Sequence, residues 1–177
     1  LDEKPRAGAV GGFVNEGYLP RPLPTVGRLI LENFGFSPKR LARNARSLVR
    51  VDQPAAAALM VRRETFDAVG GFDEQFHPAW YEDVDFSTAL AGADWEIYYD
   101  PNAKFDHVGG HTFRLLGTEG FMMAYYANQF RYVRKHFSSG AILYLKIALI
   151  LGVAVKMVRH PGQIPSYWRG LPPVMNA

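Results

Sequence analysis

The fold of this chain is decided by residues 61–112, VRRETFDAVGGFDEQFHPAWYEDVDFSTALAGADWEIYYDPNAKFDHVGGHT. Short helical and extended patterns alternate within this stretch, and together they predict an α/β fold. Residues 64–69 predict a short helix. Gly70 and Gly71 are expected to end it, because glycine adopts the left-handed conformation of a helix C-cap without steric cost.

A second helix is predicted over residues 82–91, with Phe86 and Leu90 on its buried side. Two strands joined at Pro101-Asn102 are expected after it, because apolar and polar residues alternate there. A flexible glycine-rich loop then precedes the last third of the chain. The two strands and the loop are predicted at residues 95–100, 103–108 and 109–112.

The residues before this stretch predict fewer regular elements. A glycine-containing strand, a proline-rich extended loop and a helix capped by Thr25 are predicted at residues 8–14, 18–27 and 26–33. Residues 37–50 are basic and weakly amphipathic, so they predict a short helix or a mobile connector. Residues 54–61 are apolar and uncharged. They fit a buried strand, although their four alanines suit a helix equally.

The last third of the chain is predicted to be helical, which divides the molecule into residues 1–115 and 116–177. Apolar side chains at helical spacing form the stripe of a first helix at Met122, Tyr126, Phe130, Val133 and Phe137. Residues 138–140 are expected to end this helix before a second, more apolar one at residues 141–158.

The apolar helix predicted at residues 141–158 is the part of the chain that could associate with a membrane. A spanning helix needs about 20 predominantly apolar residues. Here Lys146 and Lys156 leave a longest uncharged run of nine residues. This pattern favours a helix that lies in the membrane interface, or one docked between protein and membrane, over one that crosses the bilayer. Arg159 and Arg169 are expected to help this association. An ordinary buried core helix is an equal alternative.

Composition and charge exclude several classes of site. The chain has no cysteine, which removes disulfides, thiolate zinc sites and cysteine nucleophiles. The net charge of +3 hides balances of +6, −10 and +7 over residues 1–63, 64–107 and 108–177. The central acidic block indicates a solvated face, a cation site or an acid/base centre, and its basic flanks suit diphosphates or an anionic membrane surface. No nucleic-acid-reading motif accompanies the basic residues, so nucleic acid is not an expected partner.

Three acids, Glu82, Asp83 and Asp85, are the main candidates for chemistry. They stand at a predicted helix start, where negative charge is stabilised by the helix dipole, so capping is their ordinary explanation. Aromatic residues precede them and histidines follow them on a glycine-rich loop, at Trp80, Tyr81, His107 and His111. Three carboxylates and an imidazole brought together bind a divalent cation, or provide a general base with an orienting partner.

The order of these motifs closely resembles the C-terminal half of the catalytic domain of family-2 glycosyltransferases, the inverting enzymes with the GT-A fold. It is most similar to the bacterial rhamnosyltransferase-type members. The matching motifs are, in chain order, Val61-Arg62-Arg63, Gly70-Gly71-Phe72-Asp73-Glu74, Trp80-Tyr81, Glu82-Asp83-Val84-Asp85, Trp95 to Tyr99, Pro101-Asn102-Ala103 and His107. The likeness covers roughly residues 1–140. It implies the acceptor-side part of a nucleotide-diphospho-sugar transferase fold over residues 1–115, followed by two C-terminal helices.

The resemblance implies a catalytic role for the three acids. Asp83 is the implied general base, which takes the proton from the acceptor hydroxyl as that oxygen attacks the anomeric carbon of the sugar with inversion. Glu82 and Asp85 are implied to position this base, or to hold the acceptor and the local backbone.

The resemblance also implies binding residues around the acids. His107 matches a histidine that completes the divalent-metal site (Mg or Mn) in several relatives; a core or loop histidine is the alternative. His111 is expected to contact the diphosphate. Acceptor binding is expected at Trp80, through stacking on a sugar face or else as plain core, and at Gly70, Gly71 and Asp73.

The predicted function is transfer of a sugar from a nucleotide-diphosphate donor to a glycan or lipid-linked acceptor, in polysaccharide or cell-wall biosynthesis. We expect it in the cytoplasm, at the inner face of the cell membrane. The first residue is Leu1, and the donor-binding Asp-x-Asp of the family is absent. We therefore expect a piece of a longer protein, inactive alone, with the cation held mostly by the other half. The alternatives are a catalytically silent carbohydrate-binding module and a membrane-peripheral scaffold module.

Overall fold

The structure, a computed structural model, describes residues 4–14, 18–37 and 39–176, which form two compact units. The first unit contains the described residues of the ranges 1–23, 38–74 and 82–109. The second contains the described residues of 24–37, 75–81 and 110–177. The predicted division between residues 115 and 116 stays a prediction.

The first unit is built on a four-stranded mixed sheet. Its strands are β1 (Ala7–Val14), β2 (Val49–Val51), β3 (Leu59–Val61) and β4 (Glu96–Phe105). The strand order is β2-β4-β1-β3, with β1 and β4 parallel and each edge strand antiparallel to its neighbour. The mixed α/β class predicted from the sequence is therefore present.

Six helices lie in the described residues and are numbered in chain order. They are α1 (Val26–Asn33), α2 (Arg63–Val69), α3 (Glu82–Gly92), α4 (His111–His136), α5 (Ser139–Arg159) and α6 (Ile164–Asn176). Short 3₁₀ turns are present at Ala56–Ala58, Glu74–Phe76 and Pro161–Gln163. Of the helices, α2 and α3 belong to the first unit, and the other four belong to the second.

The core of the first unit lies between the sheet and α3. It is made by Ala9, Val51, Phe86, Leu90, Ile97 and Tyr99. The predicted burial of Phe86 and Leu90 is confirmed, because the apolar side of α3 covers the sheet. The predicted end of α2 is also confirmed, since Gly70 has a left-handed φ of 82°.

Two strands predicted at residues 95–100 and 103–108 are instead the single strand β4, so the predicted turn at Pro101-Asn102 is wrong. Asp100 pairs with Gly12 and Lys104 with Phe13, which leaves residues 101–103 in an irregularity of the ladder. Proline is tolerated at such a bulge because its missing N–H is not needed there.

Three other local predictions are corrected. The loop predicted at residues 109–112 ends at Gly110, whose left-handed φ of 70° turns the chain into α4. Of the two alternatives for residues 37–50, the helix is absent from the described residues 39–48, so a connector remains there, and Val49–Val51 pairs with β4 as an edge strand. In the apolar run at residues 54–61, only Leu59–Val61 is a strand.

The second unit is helical, with three C-terminal helices where two were predicted. The predicted stripe is confirmed at Met122, Tyr126, Phe130 and Val133, all buried, while Gly117 breaks α4 with a φ of 63°. The unexpected helix α6 contains Pro172 and Pro173, and these prolines weakened its sequence signal. It is held by packing, because Tyr167, Gly170 and Val174 are buried.

Within the described residues, α5 is long and apolar enough to cross a membrane by length and composition alone. One third of its most apolar window (33%) is buried inside the protein. Buried core helices of soluble proteins pass the same criterion, so the choice between interface and core rests on which side chains are exposed.

Candidate functional site

The carboxylate of Asp83 lies in the first turn of α3 and is held through both of its oxygens. Its Oδ1 accepts a hydrogen bond of 2.8 Å from the backbone N–H of Val84. Its Oδ2 accepts one of 3.2 Å from the side-chain amide of Gln53. Both donors are neutral, so the carboxylate is oriented without being neutralised by an ion pair.

The segment that carries Gln53 is fixed against two other parts of the first unit. Gln53 and Arg21 exchange backbone hydrogen bonds of 2.9 and 3.2 Å, as an isolated antiparallel bridge. The next residue, Pro54, packs on Gly11 of β1, where a Cβ atom would lie 2.3 Å from the proline ring. Glycine at position 11 therefore allows the approach that holds Gln53 in place.

Burial raises the pKa of the Asp83 carboxyl above its ordinary value. The hydrogen bonds from Val84 and Gln53 and the positive charge of Arg21 favour the ionised form and oppose this rise. A carboxylate with a raised pKa binds a proton more tightly than an exposed one. This is the electrostatic setting of a general base.

Glu82 lies beside Asp83 and has an unused acceptor. Its Oε2 is buried and has no hydrogen-bond partner among the described residues. Burial and the charge of Asp83 both raise the pKa of Glu82, in that order of size. A buried oxygen without a partner is costly, so this position favours an incoming donor such as a hydroxyl. Asp85, by contrast, is 2% exposed and belongs to the buried side of α3.

The structure gives Gly70 and Gly71 a local structural role. Their N–H groups donate to the carbonyls of Asp67 and Phe66, which ends α2. A Cβ atom on Gly71 would lie 2.7 Å from the Phe66 ring. Asp73 is partly exposed. Acceptor binding at Gly70, Gly71 and Asp73 therefore stays a prediction.

The predicted metal ligand His107 is exposed, and its ring contacts Tyr18 edge to face with 5.9 Å between centroids. In the part of the chain that the structure describes, no three His, Asp or Glu side chains come together as a set able to hold a metal ion. The expected grouping of three carboxylates with an imidazole is therefore not found there. The divalent cation and its ligation by His107 stay predictions.

Trp80 belongs to the second unit, in a turn with unusual backbone geometry. Trp80 and Tyr81 have φ values of 70° and 74°, which are uncommon for bulky residues and mark stored strain. The side-chain amide of Asn128 donates to the carbonyl oxygens of Phe76, Ala79 and Trp80 at 2.8, 2.9 and 3.1 Å. Helix α4 thus holds the turn in its strained form.

The Trp80 ring is partly buried among the aromatic side chains of α4. It packs edge to face on Phe121 and Tyr125, with centroids 5.0 and 6.2 Å apart. These contacts anchor the indole while leaving part of it exposed. His111 is the first residue of α4 and is also exposed. Stacking by Trp80 and diphosphate contact by His111 stay predictions.

Sequence reasoning missed Gln53, Arg21 and Asn128. Gln53 lies 30 positions from Asp83 and carries no motif, and Arg21 stands in a proline-rich loop where it looked solvated. Asn128 lies within a predicted helix whose apolar stripe is the dominant sequence pattern, so the stripe alone does not indicate a role for this amide. A buried amide within an apolar stripe is a usable signal, because such a group needs hydrogen-bond partners.

Comparison with known proteins shows partial similarity to a rhamnosyltransferase. Over 58 residues, 33% of this chain, the sequence is 40% identical to the N-acetylglucosaminyl-diphospho-decaprenol L-rhamnosyltransferase of Mycobacterium tuberculosis, in strains CDC 1551 / Oshkosh and ATCC 25618 / H37Rv. The match spans 19% of that relative's length. No family profile and no solved structure match the chain. The similarity supports a relationship to glycosyltransferases as a broad class.

Proposed function

We propose that this chain supplies the acceptor side of a family-2-type, inverting glycosyltransferase with a GT-A fold. It moves a sugar from a nucleotide-diphosphate donor to a glycan or lipid-linked acceptor. The observation that carries this proposal is the Asp83 carboxylate, partly buried and oriented by Gln53 and Val84 beside an unpartnered Glu82 oxygen. The partial match to a rhamnosyltransferase supports the same class of reaction.

The proposed step uses Asp83 as general base. The acceptor hydroxyl oxygen attacks the anomeric carbon of the donor sugar, and the bond from that carbon to the diphosphate oxygen breaks. Asp83 takes the hydroxyl proton, and the diphosphate leaves with the bonding electron pair. Burial strengthens Asp83 as a base, because it raises the pKa of this carboxyl.

The remaining predicted residues take supporting roles in this proposal. The buried Oε2 of Glu82 accepts a hydrogen bond from the acceptor, which satisfies an otherwise unpaired oxygen. Asp85 supports the first turn of α3. Trp80 offers a sugar-stacking face, Gly70, Gly71 and Asp73 line the acceptor, and His111 contacts the diphosphate. A divalent cation with His107 as one ligand would offset diphosphate charge.

The proposed place of reaction is the cytoplasmic face of the cell membrane. The matched relative carries diphospho-decaprenol in its name, and a lipid-linked acceptor would be presented at a membrane. The basic balance of residues 108–177 is compatible with an anionic surface there.

The test replaces Asp83 by Asn in the full-length protein and measures sugar transfer. We expect kcat to fall by about 10² to 10⁴, the usual contribution of a general base. Asp94→Asn is the matched control, because Asp94 is an exposed carboxylate in the same unit. We expect it to change kcat by less than about twofold, as surface substitutions rarely perturb a protein.

An unchanged rate in Asp83→Asn would remove the catalytic role of this residue. If the wild type bound the acceptor but transferred no sugar, the chain would be a catalytically silent carbohydrate-binding module. Circular dichroism of both variants separates loss of chemistry from loss of folding.

A further inference from the structure

Helix α5 has two apolar faces, and the second unit covers only one of them. Its inner face is buried at Ala141, Leu145, Ala148, Leu149, Gly152 and Val153. Gly152 lies so close to α1 that a Cβ atom would meet the carbonyl oxygen of Asn33 at 2.2 Å. Inner-face packing therefore fixes which side of α5 points away from the protein.

The outer face of α5 is apolar along its whole length. It consists of Leu143, Tyr144, Ile147, Ile150, Leu151, Ala154 and Val158, all exposed. At about 100° per residue these seven positions fall within an arc of about 120°. The large side chains among them are 45% to 84% exposed. Single exposed apolar residues are ordinary, whereas a continuous patch of this size marks an interaction surface.

The two lysines of α5 do not interrupt this outer face. Lys146 Nζ donates to the carbonyl oxygen of Met175 at 2.6 Å and lies 5.6 Å from the centre of the Phe130 ring. Lys156 Nζ donates to the Tyr126 hydroxyl at 2.7 Å. Both ammonium groups are thus held by the protein. The uncharged run along the sequence is nine residues, but the uncharged face runs from Leu143 to Val158.

The surroundings of the outer face are basic. Residues 108–177 carry eight Lys or Arg and one acid, Glu119, which is paired with Arg169 at 2.9 Å. Arg134 and Lys135 stand in the last turn before α5, and Arg159 ends it. Trp168 of α6 is 73% exposed, and Tyr144 is on the outer face itself. Apolar faces with basic flanks and exposed aromatic rings suit the headgroup region of an anionic bilayer.

We infer that the outer face of α5 binds the surface of an anionic lipid bilayer, with the helix lying in the membrane plane. Because the inner face packs against protein, α5 does not cross the bilayer as an isolated helix. Charge disfavours a second copy as the occupant, since pairing two outer faces would bring two basic regions together. This inference deepens the membrane location proposed above, because it names the surface that binds there, and it does not depend on the chemistry of sugar transfer.

The test measures co-sedimentation of the purified chain with phosphatidylcholine vesicles that contain or lack phosphatidylglycerol. We expect binding to the anionic vesicles, and at least a tenfold loss of partitioning in Ile147→Glu. Loss of the apolar contact that one isoleucine side chain makes with the bilayer accounts for about that factor by itself. Met60→Glu is the matched control, because Met60 is an exposed apolar residue of β3 in the first unit, away from α5 in the sequence. It is expected to bind like the wild type.

Three results would overturn the inference. The wild type could fail to bind anionic vesicles, or Ile147→Glu could bind as well as the wild type. Analytical ultracentrifugation could also show a dimer that Ile147→Glu dissociates, which would identify a second copy as the occupant. Asp83→Asn is expected to bind vesicles normally, so failure of this inference and failure of the proposed function are distinguishable.

Discussion

Two carboxylates of the first unit, Asp83 and Glu96, occupy opposite electrostatic environments. Glu96 Oε1 accepts hydrogen bonds from Arg6 at 2.7 Å and Arg50 at 3.2 Å, and its Oε2 accepts one from the Tyr98 hydroxyl at 2.8 Å. The Tyr98 hydrogen bond, followed by the arginine charges, holds the pKa of Glu96 below its ordinary value. Asp83 has neutral hydrogen-bond donors, and burial raises its pKa.

The difference separates a structural carboxylate from one suited to chemistry. Glu96 is saturated by cationic and hydroxyl donors, so its ionised form stabilises the fold and it is a weak base. Asp83 is oriented but not neutralised, so it retains affinity for a proton. A raised pKa beside an unpartnered oxygen is the combination typical of functional sites.

The largest effect on the difference between Asp83 and Glu96 is expected from Gln53→Leu. This substitution removes the neutral side-chain hydrogen-bond donor of Asp83. Loss of a hydrogen bond to the ionised carboxylate raises the pKa of Asp83 further. The proposed base is then protonated at higher pH, so the acid limb of the pH profile of kcat moves to higher pH. We expect a shift of roughly half to one pH unit, from about 1 kcal/mol for such a bond.

The measurement is the pH dependence of transfer in the full-length protein. Gln75→Leu is the control, because Gln75 is an exposed glutamine outside the candidate site. We expect this substitution to leave the acid limb of the pH profile in place. If Gln53→Leu folds normally and the acid limb of its pH profile does not move, the Gln53 amide does not set the pKa of Asp83.

A smaller effect, on stability rather than chemistry, is expected from Glu96→Gln. The pKa of Glu96 is lowered by folding, so its stabilising contribution is present above its ordinary pKa of 4.5 and is lost as pH falls through the lower folded-state pKa. The substitution should therefore lower the melting temperature at pH 7, and the gap to wild type should close in acid. Thermal scans at several pH values test this.

In the same thermal scans, Asp83→Asn is expected not to lower the melting temperature, in contrast to Glu96→Gln. Because folding raises the pKa of Asp83, ionising it costs stability, and this cost grows as pH rises through the folded-state pKa. We expect Asp83→Asn to melt no lower than wild type at pH 7. A melting temperature that falls as far as in Glu96→Gln would mean that Asp83 is a structural carboxylate too.

The smallest effect is expected from Arg50→Gln. The Arg50 side chain is 65% exposed and shares the Glu96 oxygen with Arg6, so solvent screening leaves little to lose. We expect the melting temperature to fall by no more than about two degrees. A drop comparable to that of Glu96→Gln would show that one arginine supplies most of the stabilisation of Glu96.

The features that sequence predicted correctly are governed by neighbouring residues. The cap of α1 at Thr25, the left-handed end of α2 at Gly70 and the buried positions of α3 follow from local hydrogen bonding, glycine stereochemistry and helical spacing. The acids of the candidate site were also found locally, because three of them stand together at one helix start.

Tertiary structure alone decided the features that join distant residues. Strand β4 continues through Pro101 because the pairing with β1 skips residues 101–103. Helix α6 tolerates two prolines because it packs on α4. The hydrogen bond between Gln53 and Asp83 has no local signal, because the two residues are 30 positions apart in the sequence. The close packing of Pro54 on Gly11, which places the Gln53 segment, is likewise a contact between distant residues.

The orientation of the two lysine side chains of α5 was also decided by the tertiary structure. Sequence determined that α5 is helical, apolar and interrupted by Lys146 and Lys156. Only the placement of Met175 and Tyr126 decided that both ammonium groups are held on the protein side. A side chain follows the strongest partner within its reach, and that partner is supplied by the fold rather than by the neighbouring sequence.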